Sequence, residues 1–195
     1  MNRLFFILIL ISLMISCKEN DAVMSFNYSD LDISDDKAKN LFIEGMKEAQ
    51  MENFSESKIF FEKANMIEKD NVIIINGLAN SENILGEVAK AESLFQKSLK
   101  IDSSFVPTYV NYGNLLNEQK RFEESEEILL KGLSKNPTND AKIGLYFNLA
   151  LIMKKQNQCL LARQYAEKAL DNCEYDDIHR KDVIDFVNEI KTNCE

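Results

Sequence analysis

The chain has 195 residues, of which 28% are charged and 45% hydrophobic, a composition typical of a folded domain rather than a disordered chain. Its formal net charge of -9 at pH 7, without a basic cluster, argues against nucleic acid and anionic lipid headgroups as partners. His179 is the only histidine, and there is no phosphate-binding loop and no HExxH motif. We therefore expect no enzyme, no catalytic residue, no metal site and no cofactor.

The N-terminal segment has the pattern of a signal peptide over residues 1–16. Arg3 precedes an apolar stretch at residues 4–15, which is too short to span a hydrocarbon core of about 30 Å. The following Ser16 and Cys17 resemble the end of a bacterial lipobox, which implies cleavage before Cys17 and a lipid on that cysteine. Lys18 in place of Asp then favours the outer membrane, at its periplasmic face or the cell surface. The alternative is an ordinary secretory signal that ends near Cys17.

Residues 17–36 lack a helical period and are rich in Asp, Ser and Asn, so we interpret them as the acylated cysteine and a flexible tether. Met24, Phe26 and Tyr28 could instead dock on the first helical unit, and the sequence leaves both options open. The segment Ser34-Asp35-Asp36 is a candidate N-cap for the first helix.

The remainder of the chain contains a repeat of 34 residues. Five rows of equivalent positions each hold residues of similar size: Gly45, Ala79 and Gly113; Phe54, Val88 and Phe122; Ser57, Ala91 and Ser125; Phe61, Phe95 and Leu129; Ala64, Ser98 and Gly132. A fixed period in this range indicates stacked helical units whose common core forms only when neighbours pack together. Such an arrangement is typical of binding proteins.

The register resembles the tetratricopeptide (TPR) family, whose unit is a helix–turn–helix of 34 residues. The clearest unit opens at Val106 and carries Tyr109, Gly113, Phe122 and Pro137 at the family's positions. The resemblance implies an all-α solenoid of four repeats within residues 38–176. The expected units are 38–71, 72–105, 106–139 and 143–176.

A C-terminal capping helix is predicted over residues 177–192. Its apolar stripe is formed by Ile178, Val183, Phe186, Val187 and Ile190. Such a helix would cover the last repeat, which otherwise exposes an apolar face.

If a disulfide forms, we expect it to join Cys159 to Cys194, because the capping helix should run antiparallel to the helix that starts near Cys159. Cys173 and Cys194 would lie at opposite ends of one helix, about 24 Å apart, whereas a disulfide needs Cα atoms within roughly 7 Å.

One face of the first helix in each repeat is expected to line an inner groove. The side chains on that face are Asn76, Asn80, Asn83, Asn111, Asn114, Asn117, Phe147, Asn148, Leu151 and Lys154. A side-chain amide is both a donor and an acceptor, which suits binding the backbone of an extended peptide. In the TPR family such asparagines bind peptide in this way; the equivalents here are Asn80, Asn111, Asn114 and Asn148. The alternative is that these asparagines reflect only the family consensus and an Asn-rich composition.

These features together predict a membrane-anchored protein–protein interaction module that binds a partner segment in its concave groove. A second hypothesis is a structural component of a cell-envelope assembly, recognised through its convex face or its tether. A third, disfavoured by the single histidine, is an enzyme accessory or weak hydrolase.

Overall fold

The computed structural model describes residues 31–173 and 180–193. The predicted signal peptide, Cys17, most of the predicted tether, His179 and Cys194 lie outside these residues. Within them the protein is all-helical, as predicted. The helices are α1 (Asp36–Gln50), α2 (Phe54–Ile67), α3 (Val72–Ile84), α4 (Val88–Ile101), α5 (Val106–Glu118), α6 (Phe122–Leu133), α7 (Asn139–Lys155), α8 (Cys159–Asp171) and α9 (Arg180–Asn193).

Helices α1 to α8 form four helix–turn–helix pairs, and each pair packs on the next. The first helices of the pairs also contact one another, α1 with α3, α3 with α5 and α5 with α7. They therefore form one continuous surface of the stack, while the second helices lie behind them. This is the stacking predicted from the 34-residue period, and it places the expected partner surface on α1, α3, α5 and α7.

The turn inside each pair contains one residue in the left-handed backbone region. These residues are Glu52, Gly86, Lys120 and Asn157, with φ of 62°, 86°, 60° and 57°, respectively. The first three lie 34 residues apart, so the same turn ends the first helix of successive repeats. A left-handed residue after a helix allows the chain to reverse within three residues, although it costs a residue other than glycine some backbone energy.

The rows of small residues are explained by close helix contacts inside the pairs. A methyl group added at Gly113 on α5 would lie 2.5 Å from Cδ2 of Leu129 on α6, closer than carbon atoms can approach. Leu129 itself is fully buried in the core. The bulky row and the small row of the repeat are therefore the two sides of one contact between the helices of a pair.

The end of the predicted tether is packed rather than free. Leu31 and Ile33 are each only 5% exposed and belong to the core of the first repeat, together with Phe42 and Ile74. Asp35 is the N-cap of α1, as predicted, and its carboxylate accepts hydrogen bonds from the first turn. The expectation of a tether through residue 36 is therefore corrected for residues 31–35, because two apolar side chains there enter the core.

Helix α9 packs against α8, and four of its apolar side chains are buried: Val183, Phe186, Val187 and Ile190. The predicted residues 177–179, including Ile178, lie outside the described part of the chain. Among the described residues, no helix has the length and apolar character that crossing a membrane requires.

The two cysteines near the ends of α8 differ in their bonding. Cys159 is disulfide-bonded, and its partner lies outside the described residues. Cys173 is buried, and its thiol donates a hydrogen bond to the carbonyl oxygen of Ala169. The pairing of Cys159 with Cys194 stays a prediction.

Candidate functional site

A groove of about 470 Å³, which we call the α1–α3 groove, lies on the surface formed by the first helices. Helices α1 and α3 contribute Phe42, Met46, Ile73, Asn76, Gly77, Asn80 and Ile84 to its lining. The segments that precede α5 and α7 contribute Asp102, Ser104, Phe105, Lys135, Asn136, Pro137 and Thr138, and the first turn of α5 contributes Pro107. The volume is within the range of pockets that hold small ligands or side chains, about 300–1,000 Å³.

The lining is mainly apolar, with a few polar groups at defined places. Asn80 is half-buried and lies on α3, while Asp102 and Lys135 belong to the two segments that precede α5 and α7. The Ser104 hydroxyl donates to the Asp102 carboxylate over 2.6 Å, and this hydrogen bond lowers the pKa of Asp102. The groove thus combines apolar area for side chains with an amide and both signs of charge for a polypeptide backbone.

Several of the predicted groove asparagines bind one another or neighbouring helices. The Asn111 amide donates to Oδ1 of Asn76 over 3.3 Å, which links α5 to α3. The Asn83 amide donates to the Glu118 carboxylate over 2.9 Å and links the same two helices farther along. These side chains therefore hold consecutive first helices together, a role that the sequence analysis did not assign to them.

A side-chain hydrogen bond likewise joins α5 to α7. The Lys155 ammonium donates to Oδ1 of Asn117 over 2.9 Å. Burial lowers the pKa of Lys155, while the neighbouring Glu118 carboxylate acts in the opposite direction.

Three asparagines retain an amide atom without a hydrogen-bond partner among the described residues. They are Oδ1 of Asn114, Nδ2 of Asn117 and Oδ1 of Asn148. Asn117 and Asn148 are each 1% exposed, so a partner peptide reaches them only after some rearrangement. Asn114 as a whole is half-buried, although its unpartnered Oδ1 is buried too.

The predicted groove residues of the fourth repeat contact α9. The rings of Phe147 and Phe186 are 4.4 Å apart, and Leu151 belongs to the same buried cluster. The Lys154 ammonium forms a salt bridge with Glu189 and lies 5.5 Å from the Phe186 ring centre. The expectation that these three residues line an open groove is therefore corrected, because the stripe of α9 covers them.

The sequence analysis missed the apolar part of the α1–α3 groove. Phe42 and Met46 were not singled out, although they lie four residues apart on α1 and so share a face. Phe105 and Pro107 were not predicted as groove residues either. The available signal was the surplus of apolar residues on α1 and at the start of α5 beyond those that the repeat core uses.

With this geometry the described residues form a TPR-like stack of helical pairs, in which the first helices share one surface. A family model for the tetratricopeptide repeat matches residues 106–139, the unit that the sequence analysis found clearest.

One protein with a similar sequence is named for type IV pilus assembly. The sequence is 29% identical over 136 residues to the type IV pilus assembly protein PilF of Pseudomonas aeruginosa, covering 69% of this chain and 54% of that protein. The chain thus spans about half the length of this curated relative.

A solved structure of Pseudomonas aeruginosa PilF has a TM-score of 0.70 and 23% identity, covering 80% of this chain and 68% of that one. A structure of PilW, a type IV pilus biogenesis factor, has a TM-score of 0.70 and 19% identity, covering 83% of this chain and 71% of that one. At these identities the two structures establish a shared fold.

Proposed function

We propose that this protein is a membrane-anchored interaction module that binds an extended segment of a partner protein in the α1–α3 groove. The observation that carries the proposal is the groove itself: an apolar surface of the first helices that α9 does not cover, whereas the equivalent surface of α7 is covered. Aromatic and aliphatic side chains of a partner would bury their area against Phe42, Met46 and Ile73, and Asn80 would bind its backbone.

The contacts available in the groove set an upper limit on the affinity of the complex. Burial of an apolar side chain contributes about 1.5–3 kcal/mol, and a hydrogen bond about 0.5–1.5 kcal/mol. Three side chains and one or two backbone hydrogen bonds give roughly 5–12 kcal/mol before the cost of association. A micromolar complex needs about 8 kcal/mol, so affinity in the micromolar range or weaker is expected.

The similarity to PilF and PilW supports a role in assembling a cell-envelope structure of the type IV pilus kind. Those proteins are named for pilus assembly and biogenesis, and we propose that the partner segment belongs to a component of a comparable assembly. This makes the protein a binding subunit without an enzymatic step of its own.

The groove is tested by photo-cross-linking in cells. A photoreactive residue is placed at Asn80 in the groove and, as a matched control, at Leu130, an exposed residue of α6 that does not line it. We expect a discrete adduct from position 80 alone, whose partner is then identified by mass spectrometry. Equal adducts from both positions would favour recognition through the convex face.

The effect of the groove on binding affinity is then measured with purified proteins. Asn80→Arg places a long charged side chain in the groove and should weaken binding of the identified partner at least about tenfold, or about 1.4 kcal/mol. Leu130→Arg should bind as the unaltered chain does. Full binding by an Asn80→Arg protein with unchanged circular dichroism would contradict the groove as the site.

The anchor is tested separately. Because Ser16 and Cys17 resemble the end of a lipobox, Cys17→Ala should move the protein from the membrane to a soluble fraction. Sedimentation of this variant with membranes after a carbonate wash would place the anchor elsewhere.

A further inference from the structure

The point at which the N-terminal segment joins the folded domain lies beside the α1–α3 groove. The Lys39 ammonium donates to the carbonyl oxygen of Leu31 over 3.2 Å. Lys39, Phe42 and Met46 lie three and four residues apart, so they share one face of α1. Phe42 and Met46 line the groove, and residue 31 is therefore held next to its α1 side.

The α3 side is anchored in the same way. The Asn71 amide donates to the carbonyl oxygen of Asp32 over 2.7 Å, and Asn71 is the N-cap of α3. Ile73, in the first turn of that helix, lines the groove. Residues 31 and 32 thus lie between the starts of the two helices that form the groove, and the preceding residues begin there.

The residues that precede this point have the pattern of an extended segment with one apolar face. Met24, Phe26 and Tyr28 alternate with Ser25 and Asn27. In an extended chain, alternate side chains point in the same direction, so the three large apolar residues would face one side together.

The length of this segment also matches the length of the groove. Along α3 the groove extends from Ile73 to Ile84, eleven residues that span about 16 Å at 1.5 Å per residue. Five residues of extended chain span about 16 Å at 3.3 Å each. The two residues between Tyr28 and Leu31 are enough to connect such a segment to the folded domain.

We propose that residues 24–28 of this chain occupy the α1–α3 groove, with Met24, Phe26 and Tyr28 against its apolar lining, so that a partner segment must displace them. The proposal rests on the proposed function, because it makes access to that same groove conditional. It also places the displaced segment between the folded domain and Cys17, so partner binding would lengthen the connection to the predicted anchor.

The test uses the fact that the chain has no tryptophan. Phe26→Trp introduces a single reporter on the apolar face of the segment, and Ser25→Trp is the matched control on its other face. Both are made in the full chain with Cys17→Ala, so that no lipid covers the reporter. We expect a blue-shifted emission maximum and slow acrylamide quenching for position 26, and solvent-like values for position 25.

Occupancy of this particular groove is tested by a second substitution. Asn80→Arg should return the emission of the position 26 reporter to solvent-like values. Asn114→Arg, at the equivalent position one repeat later and outside the groove lining, should leave it blue-shifted. Tyr28→Trp is a second reporter in case position 26 does not tolerate the larger ring, and circular dichroism confirms the fold of every variant.

Three results would overturn the proposal. Solvent-like emission from both positions 26 and 28 would show that the segment does not dock. Burial that is insensitive to Asn80→Arg would place the segment on another surface. Burial that is lost on dilution, together with a dimer in size-exclusion chromatography, would assign the groove to the segment of a second copy. None of these measurements uses a partner protein, so their failure is distinct from a failure of the cross-linking experiment.

Discussion

Helix α9 should contribute a measurable part of the stability of the last repeat, and Phe186 is the residue that tests this most directly. Its side chain is 8% exposed, its ring lies 4.4 Å from that of Phe147, and Lys154 covers its outer side. Replacing a buried Phe by Ala typically costs about 3–5 kcal/mol. The lower end is expected here, because a helix at the end of a stack can settle into part of the space.

A loss of about 3 kcal/mol should lower the melting temperature by roughly 6–12 °C in a chain of this length. Phe186→Leu keeps the apolar area but loses the ring pair, and should cost less, about 0.5–1.5 kcal/mol from that source. Asn188→Ala, on the exposed face of the same helix, is the control and should remain within about 0.5 kcal/mol.

Differential scanning calorimetry checks the series, with denaturant unfolding as an independent measure, because stacked repeats can unfold in more than one step. A decrease in melting temperature of less than about 2 °C for Phe186→Ala would refute the reasoning, because α9 would then contact the stack without stabilising it. Truncation after Tyr175 removes the whole helix, exposes Phe147 and Leu151, and should additionally promote aggregation.

Three further results are expected. Gly113→Ala should destabilise the protein by about 1–3 kcal/mol in denaturant unfolding, because its methyl group would meet a leucine side chain of α6 at 2.5 Å; an unchanged midpoint would mean that the helices separate easily. The hydrogen bond from Arg121 lowers the pKa of Glu92, so the pair stabilises the fold above pH 4.3 or so and loses this effect as the pH falls. Glu92→Gln should therefore cost about 1 kcal/mol at pH 7 and little at pH 3, whereas an equal cost at both pH values would exclude the ion pair as its cause. Peptide mapping without reduction should recover a peptide that joins Cys159 to Cys194, whereas a peptide that joins Cys173 to Cys194 would contradict the predicted capping helix.

The period predicted the paired helices well because each row of the repeat corresponds to one kind of contact. Gly113 and Leu129 belong to different rows, yet they touch within one pair, and the same relation holds for Gly45 and Phe61 in the first pair. A pattern that recurs in every unit is determined by contacts between neighbouring helices, which are local in sequence. Such contacts can be inferred without knowing the curvature of the stack.

Features that occur only once in the chain were harder to predict. Leu31 and Ile33 enter the core without any helical period, so composition alone suggested a tether there. The stripe of α9 was visible in the sequence, but its contact with Phe147 depends on how the last helix crosses the stack. The crossing is a tertiary property that no local pattern encodes.

The predicted groove asparagines lie on the first helices of their pairs, but the sequence did not show which hydrogen bonds they form. An amide on that surface can bind a peptide or a neighbouring helix, and the choice depends on distances of a few tenths of an ångström. Asn76 and Asn111 bond to each other, whereas Asn80 lines the groove beside them. Substituting all predicted groove asparagines together would therefore disturb the stack as well as the groove, and Asn80 is the residue that separates the two effects.

The surface of the first helices is used in three different ways along the stack, and this limits where a partner can bind. Between α1 and α3 it is an apolar groove, between α3 and α5 amides join the helices, and on α7 it is covered by α9. The proposed function therefore concentrates recognition in the first two repeats, next to the residues that lead to the predicted anchor at Cys17. An interaction site at that end places a bound partner near the membrane, whereas a site on the fourth repeat would hold it farther away by the length of the stack. With the predicted anchor, the proposed groove would therefore capture a partner close to the membrane, while α9 covers the far end of the stack.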